Sequence, residues 1–468
     1  MSGLLARARS VPAAHASAAI ATIDQAGFAP VQETVPSRPE RLFLGFAFLV
    51  LQGAFVGMAG TQEAADASQA DGGDIRHMVA FALVLIGTAI FARKHWRGMT
   101  ALAGASLPYF ILPAMILAST LWSVEPSLTL KRAVLTTGIC AFDLYVAISI
   151  GLDRLLRMLS TTILISALAS IVVAIAVPTI GREIVAGLTG DWRGVFPQKN
   201  ALGHVMSVGV FVELAMMIRA RRWLPGACIR TVLLIALVAM AHSASSLLSV
   251  TIALMITALY AAFRRGLTSA LVCALAVAAL LILIVGTVGG DPAAVFDVLD
   301  RDPSLTGRTD LWKYVLDAIR ERPVSGWGYM AFWTPDGRNA TYIQHQIGWP
   351  APNAHDGYLE LALSLGAIGL AGLAATALWT ARRIIVALLQ KHDLGALLLI
   401  ASTQLLIANL TESFIISASV FGWNVFSILA LKTGVLAPAM PKGTGSAALS
   451  LLDRAKARPA ATVAMERP

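Results

Sequence analysis

The sequence predicts an all-α polytopic membrane protein with about twelve transmembrane helices. Three observations carry that expectation. The chain has 468 residues, of which 57% are hydrophobic and only 13% charged, with mean hydropathy +0.72. A soluble domain is nearer half apolar and a quarter charged. The apolar residues fall in blocks of about 17–25, the length a helix needs to cross about 30 Å of hydrocarbon. Most of the Lys and Arg lie in short loops between those blocks.

Taken in order, residues 1–40 are rich in Ala, Pro and Ser and lack the apolar stretch of a cleavable signal. They read as a disordered cytoplasmic tail. Residues 41–288 hold the first nine spans, starting near Arg41, His77, Ala101, Lys131, Met158, Ala201, Cys228, Leu247 and Leu267. Only the polar run His242-Ser243-Ala244-Ser245-Ser246 separates the seventh span from the eighth. Residues 289–357 form one long loop. Residues 358–436 hold the last three spans, starting near Tyr358, Leu394 and Phe414, and 437–468 form a second disordered cytoplasmic tail.

Charge sets the orientation. With the N-terminus in the cytoplasm, 24 of the 36 Lys and Arg fall on that side. The first loop on the opposite side carries Glu63, Asp66, Asp71 and Asp74 instead. The positive-inside rule therefore favours an even span count, both termini inside and the long loop outside. The net charge of +9 has this topological origin, which argues against a nucleic-acid partner. Cys140, Cys228 and Cys273 lie in or beside apolar blocks without zinc-ligand spacing, and read as small buried hydrophobes.

A structureless loop of this length is uncommon unless it is functional. This one contains a helix: Leu311, Tyr314, Val315, Ala318 and Ile319 recur at helical spacing, Thr309 can cap the start and Pro323 stops it. An amphipathic helix lying on the membrane or against the bundle fits that pattern.

Three outside clusters could carry chemistry. The first, Asp191 to Asn200, sets Arg193 and Lys199 beside Trp192 and Phe196, with Lys199 and Asn200 near a helix start that favours anions. An ordinary interfacial belt of aromatic and basic residues explains the same cluster. The second runs from Leu305 to Trp312 and on to Arg322 and Gly328. Arg308 and Arg322 are shaped to grip phosphate with two parallel hydrogen bonds. Trp312, Trp327, Trp333 and Trp349 offer flat faces suited to a sugar ring, or else form the loop's own small core. The third is Asn353-Ala354-His355-Asp356-Gly357-Tyr358. His355 can act as a general base near neutral pH, with Asp356 or Asn353 fixing its tautomer, or it is a satisfied polar residue.

Three ionisable residues fall within or at the ends of spans: Asp143, Glu213 and Glu412. Each is expensive in hydrocarbon, and helix pairing or a watered cavity explains each as well as catalysis does. The sequence shows no P-loop, no dinucleotide fingerprint and no metal-ligand cluster, so no cofactor or metal is expected.

The ordered set of motifs resembles the O-antigen ligase and Wzy-type polymerase superfamily, in particular its exopolysaccharide-polymerase (ExoQ-like) branch. The matching segments are Leu121 to Arg132, Trp192 to Gly203, Ser243 to Leu248, Thr306 through Gly328, and Asn353 through Gly369. The resemblance implies a membrane glycosyltransferase of the GT-C type, independent of metal, in the bacterial inner membrane. Such an enzyme uses glycan carried on undecaprenyl pyrophosphate at the periplasmic face. By motif position, the resemblance implies that His355 is the general base or the residue that positions the acceptor, and that Arg308 holds the leaving pyrophosphate. Arg193, Lys199, Asn200, Trp312, Arg322, Trp327, Asn353, Asp356 and Tyr358 are the expected substrate-binding residues. Flippase, chain-length and export proteins are the implied partners. Family ligases often carry a cation in the motif aligned with Ser243 to Ser246, and its absence here tilts the expectation from ligase to polymerase.

Polymerisation of lipid-linked repeat units is therefore the expected activity, with ligation of finished glycan to lipid A core or another acceptor as the alternative. A flippase or transporter is the rival from a different class. It would place polar residues at mid-membrane on several helices, often with repeat symmetry. No clear repeat relates the two halves. A non-catalytic assembly subunit would tolerate loss of His355 and Arg308.

Overall fold

The first helix, α1 (Arg38–Leu51), starts where Ser37 leaves the extended conformation, and Glu40 reaches back to accept from the Ser37 N–H at 3.2 Å. Glu40 is buried and also receives Tyr145 Oη at 2.6 Å and Lys94 Nζ at 2.5 Å, which fixes α1 to two later elements. The computed structural model describes residues 36–55, 75–184, 190–287, 307–334, 337–349, 351–415 and 421–436. Most of both expected tails, and the acidic segment Glu63 to Asp74, lie outside the described residues.

The described chain is helical, and the described residues contain no strand beyond one isolated bridge between Arg182 and Trp192. After α1 come α2 (Ile75–Ala92), α3 (Trp96–Ala105), α4 (Leu107–Ala118), α5 (Pro126–Ser149) and α6 (Leu152–Ala176). They are followed by α7 (Lys199–Ala220), α8 (Pro225–Met240), α9 (Ala244–Arg265) and α10 (Leu267–Thr287). The basic run after α2, expected as a loop, is a single 3-10 turn, Arg93–His95, that leads directly into α3. The polar run at His242 separates α8 from α9 as expected, with His242 itself at φ 46°.

Six described helical stretches are long and apolar enough to cross a membrane, and shorter apolar helices pack among them. Side chains such as Ile90, Val172, Ile175, Ile229, Val232 and Leu378 stay exposed on their outer surfaces, as a lipid-facing helix requires. Two acids within spans are paired. Glu213 takes a bidentate grip from Arg230 at 2.9 and 2.8 Å, and Asp143 faces the Asn424 amide at 3.4 Å. Helix pairing accounts for both without chemistry.

The loop between α10 and the next long helix contributes two helices, α11 (Arg308–Glu321) and α12 (Arg338–Ile347). Helix α11 coincides with the amphipathic helix expected there, although Gly307, not Thr309, occupies the cap position. Helix α12 had no counterpart in the sequence reading because it is short and mostly polar. Leu311, Val315 and Ala318 from α11, and Ala340 and Ile343 from α12, bury together with Trp327, Phe332 and Trp333. The loop therefore has its own apolar core, which makes it a folded cap and not a strand of chain adrift in water.

One further feature locks the cap to the bundle. The long helix α13 (Gly357–Leu389) breaks at Gly366, where φ is 62° and ψ −156°. A broken helix leaves backbone groups unpaired, and here the segment 322–330 pairs them. Ala367 N and Ile368 N donate to the carbonyls of Pro323 and Val324 at 2.8 and 3.2 Å. In return, Trp327 N and Gly328 N each donate at 2.9 Å to the carbonyls of Leu363 and Ser364. The opposite edge of the same segment meets the stretch from Ser119 to Arg132: Trp122 Nε1 donates to Ser325 O at 2.8 Å, Val124 N to Trp327 O at 3.1 Å, and Arg132 Nη1 to Met330 O. Helices α14 (Asp393–Ala408) and α15 (Phe421–Leu436) complete the described chain.

Candidate functional site

Three helices begin close together at the cap end of the bundle. Helix α7 opens at Lys199, α11 at Arg308 and α13 at Gly357. Each helix start carries partial positive charge, because its first N–H groups have no intrahelical acceptor. Asp356 caps α13 with one carboxylate oxygen, which accepts from Tyr358 N at 2.9 Å and Leu359 N at 2.8 Å. Burial holds the Asp356 carboxyl above its usual value. The turn after α14 locks onto the same start, since Gly357 N donates to Asn409 O at 2.8 Å and Asn409 Oδ1 accepts from Phe414 N at 2.8 Å. A Cβ at Gly357 would sit 2.1 Å from Asn409 Oδ1, so only glycine allows this approach.

Glu412 lies in that turn, at the meeting point of the three helix starts. Its Oε1 accepts from Asn200 Nδ2 at 2.6 Å and from Arg308 Nη2 at 3.1 Å. Its Oε2 lies 3.5 Å from His355 Nδ1, close enough for charge to be felt but without the alignment of a hydrogen bond. Arg308 Nη1 donates to the Thr411 carbonyl. Burial pushes the Glu412 carboxyl up, but His355 and Arg308 outweigh it and hold the group below its usual value.

His355 sits at φ 48°, in the left-handed region, and Asn353 supports it there. Asn353 Oδ1 accepts both His355 N at 2.8 Å and Ser413 Oγ at 3.1 Å. The Trp349 ring lies 5.7 Å from the imidazole. Among the described residues, Arg308 engages two of its five donors, with Thr411 and Glu412, which leaves the guanidinium further capacity for an anion.

Asn200, Arg308 and His355, drawn from three separate stretches of sequence, thus surround one carboxylate, with Asn353 bonded to the His355 N–H and Asp356 capping α13 next to it. The other expected residues stand differently. Lys199 is a neighbour of Asn200, but its Nζ binds Asp191 at 2.5 Å, and its N–H donates to Glu183 Oε1 at 2.8 Å. His242 Nδ1 lies 2.7 Å from the other Asp191 oxygen, so that acid is bracketed by two bases. Burial holds the Glu183 carboxyl above its usual value. Arg193 is buried, with Nε donating to Ile180 O at 2.8 Å and Nη1 to Pro197 O at 3.1 Å.

The expected sugar platforms are tied into the cap. Trp312 Nε1 donates to Ala354 O at 2.9 Å, directly behind His355, and Trp327 Nε1 donates to Ala318 O at 2.9 Å. The Arg322 guanidinium lies 4.4 Å over the Trp327 ring. Tyr358 Oη donates to Leu406 O at 3.0 Å. Sequence reasoning had weighed Glu412 only as an acid at the end of an apolar block, and its three partners lie too far off in sequence for spacing to reveal them. Among the described residues no group of His, Cys, Asp and Glu is placed to hold a metal ion.

The fold and this cluster define a multi-pass helical membrane protein in which a His and an Arg of the loop region meet a buried carboxylate. Residues 229–374 match the Wzy_C family, described as O-antigen ligase. The exopolysaccharide production protein ExoQ of Rhizobium meliloti (strain 1021) is 27% identical over 267 residues, covering 53% of this chain. The alignment spans 58% of that relative's own length. Both are likenesses over part of the chain, and they agree with the motif resemblance to the O-antigen ligase family and its ExoQ-like branch. The family match includes Arg308, His355 and Gly366, and ends before Glu412.

Proposed function

We propose that this protein polymerises oligosaccharide repeat units carried on undecaprenyl pyrophosphate, adding to an exopolysaccharide at the periplasmic face of the inner membrane. The observation that carries the reading is the convergence of His355 and Arg308 on Glu412. In the proposed reaction an acceptor hydroxyl oxygen attacks the anomeric carbon of the donor glycan. His355 Nε2 takes the hydroxyl proton while Glu412 faces Nδ1 and stabilises the imidazolium that forms. The bond from the anomeric carbon to the phosphate oxygen breaks, and its electron pair leaves with the lipid diphosphate. Arg308 and the three helix starts offset that developing charge. No metal is called for in this scheme, because fixed cations and helix dipoles do the work of a Lewis acid.

Several apolar helices and the Lys and Arg bias support a bundle of about twelve spans with both termini cytoplasmic. Flippase, chain-length and export proteins are the partners that such a pathway would supply. The name of the matched family keeps ligation as the second reading, in which finished glycan passes from the lipid carrier to lipid A core or another acceptor.

The test is a deletion strain complemented with wild type or His355→Ala, with lipid-linked glycans and secreted polymer extracted together. Single repeat units accumulating on lipid, without polymer, support polymerisation. Polymer accumulating on the carrier but absent from its acceptor favours ligation. Repeat units trapped on the cytoplasmic face would overturn both and point to a flippase.

A further inference from the structure

Two further side chains at this site have unmet hydrogen-bonding capacity. Trp349 Nε1 and Thr411 Oγ1 are buried atoms with no hydrogen-bond partner among the described residues. His355 Nδ1 close by also lacks an aligned hydrogen bond, although it faces Glu412 Oε2 at 3.5 Å. The contacts that bring them together are on independent elements. The Trp349 ring neighbours the His355 ring at 5.7 Å. A Cβ built on Gly307 would lie 3.3 Å from Trp349 Nε1, so the indole N–H reaches the residue just before Arg308. Gly307 holds φ 81°, a conformation that suits glycine and permits the approach. Thr411 gives its carbonyl to Arg308 Nη1 and precedes Glu412 in the chain.

A buried donor without an acceptor is costly, and a water, an ion or a ligand usually completes it. An indole N–H can only donate, and a threonine hydroxyl can donate. Thr411 stands beside the Arg308 guanidinium, and Trp349 Nε1 beside Gly307 at the positive end of α11. Such a setting calls for an acceptor with negative charge and several oxygen atoms.

We infer that Trp349 and Thr411 donate to phosphate oxygens of a diphosphate group held by Arg308, and so form the neutral half of the headgroup site. The inference rests on the diphosphate donor of the proposed function and adds two binding residues to it. The charge comes from Arg308, and the two neutral donors fix the direction of the headgroup. They add no positive charge that would hold the product after transfer.

The experiment uses full-length protein in lipid nanodiscs, with Trp349→Phe and Thr411→Val. Thr411→Val keeps the shape and removes the donor, and the Thr411 carbonyl that binds Arg308 survives; Trp349→Phe removes the indole donor together with one ring. Binding of farnesyl diphosphate and of inorganic pyrophosphate is measured by calorimetry, alongside the thermal midpoint without ligand. Each variant is expected to weaken farnesyl diphosphate binding about ten-fold or more, because a hydrogen bond to a charged oxygen is lost. The ligand-free midpoint of Thr411→Val is expected to hold or rise, since an unsatisfied donor has been replaced by an apolar group, whereas that of Trp349→Phe falls somewhat with the packing lost from the loop core. Equal weakening for inorganic pyrophosphate places the contact on the headgroup alone, whereas weakening for the lipid form only means that the tail sets the pose. Both outcomes support the inference. Wild-type affinity in both variants overturns it and leaves the proposed reaction standing. A fall in the midpoint in both variants, with affinity per folded molecule unchanged, assigns the donors to structure and likewise overturns it. Failure of the wild type to bind either diphosphate overturns the inference and the proposed donor together.

Discussion

Asn200 and Glu412 meet at 2.6 Å across 212 residues of chain, and this contact brings the start of α7 to the turn that follows α14. It adds a side-chain bond from α7 to a turn that Asn409, Thr411 and Ser413 already tie to α13 and Arg308. The contact also shows why the first and third sequence clusters belong to one site although each is unremarkable alone.

Glu412→Gln keeps the size of the side chain and removes its charge. In the proposed mechanism that change deprives the imidazolium of its counter-charge, so transfer is expected to fall at least about ten-fold with donor affinity little changed. The stability consequence has a defined sign. The Glu412 carboxyl lies below its usual value of 4.5, so its contribution is present above that pH and is lost as pH falls through the lower folded value. Thermal midpoints measured across pH 3–6 (about the range in which carboxylates titrate) should show that acid loss in wild type and less of it in the variant.

His355→Ala removes the proposed base and is expected to reduce transfer by about a hundred-fold or more. The readout is polymer formed per mole of membrane-inserted protein. Wild-type yield from a normally inserted variant would refute the assignment of His355 as base.

Arg308→Lys keeps the positive charge and loses the fork. Nη1 serves the Thr411 carbonyl and Nη2 serves Glu412, so one ammonium cannot reproduce both bonds in the same plane. Transfer is expected to drop about ten-fold or more, and the thermal midpoint to fall as well. Full activity would mean that the planar geometry is not used.

Gly328→Ala tests the lock between cap and bundle. A Cβ at this position, where φ is 100°, would sit 2.3 Å from Ser123 Oγ and 2.7 Å from Ser123 Cα. The backbone of Ser123 cannot step aside as a side chain could, and the left-handed φ adds strain of about 1–3 kcal/mol. The expected outcome is a lower thermal midpoint together with faster proteolysis within the loop 307–334. A variant as stable and as protease-resistant as wild type would show that the segment does not need this close approach.

Arg193→Leu separates architecture from binding. The guanidinium is buried and satisfies the carbonyls of Ile180 and Pro197, which the change would leave bare. Unsatisfied buried carbonyls cost about 1–3 kcal/mol each, so inserted protein should decline. Affinity for farnesyl diphosphate, counted per folded molecule, is expected to stay unchanged. A loss of affinity at normal protein yield would instead make Arg193 a ligand contact.

Much of the fold was legible because its signals are local. The apolar blocks announced helices such as α5, α6 and α7, the spacing of Leu311, Val315 and Ala318 announced α11, and the polar run at His242 marked the break between α8 and α9. Helix α12 escaped because ten mostly polar residues carry little periodic signal. For the site, Arg308 and His355 stood out through side-chain chemistry and motif order. Trp312 and Trp327 showed equally well, yet the alternatives of sugar platform and loop core could not be separated from sequence. Their indole N–H groups turn out to be bound by the Ala354 and Ala318 carbonyls of the cap.

The sequence by itself determined that this is a helical membrane protein with a helix in its long loop, since helix formation and span length depend on residues a few positions apart. Tertiary structure alone decided that Glu412 would be the carboxylate shared by Asn200, Arg308 and His355. It alone decided, too, that Gly366 would break α13 so that the 322–330 segment could fill the gap. Both features pair groups from distant parts of the chain. Such pairs are chosen by how the helices pack and by the need to satisfy every buried polar atom, and no local pattern encodes that choice.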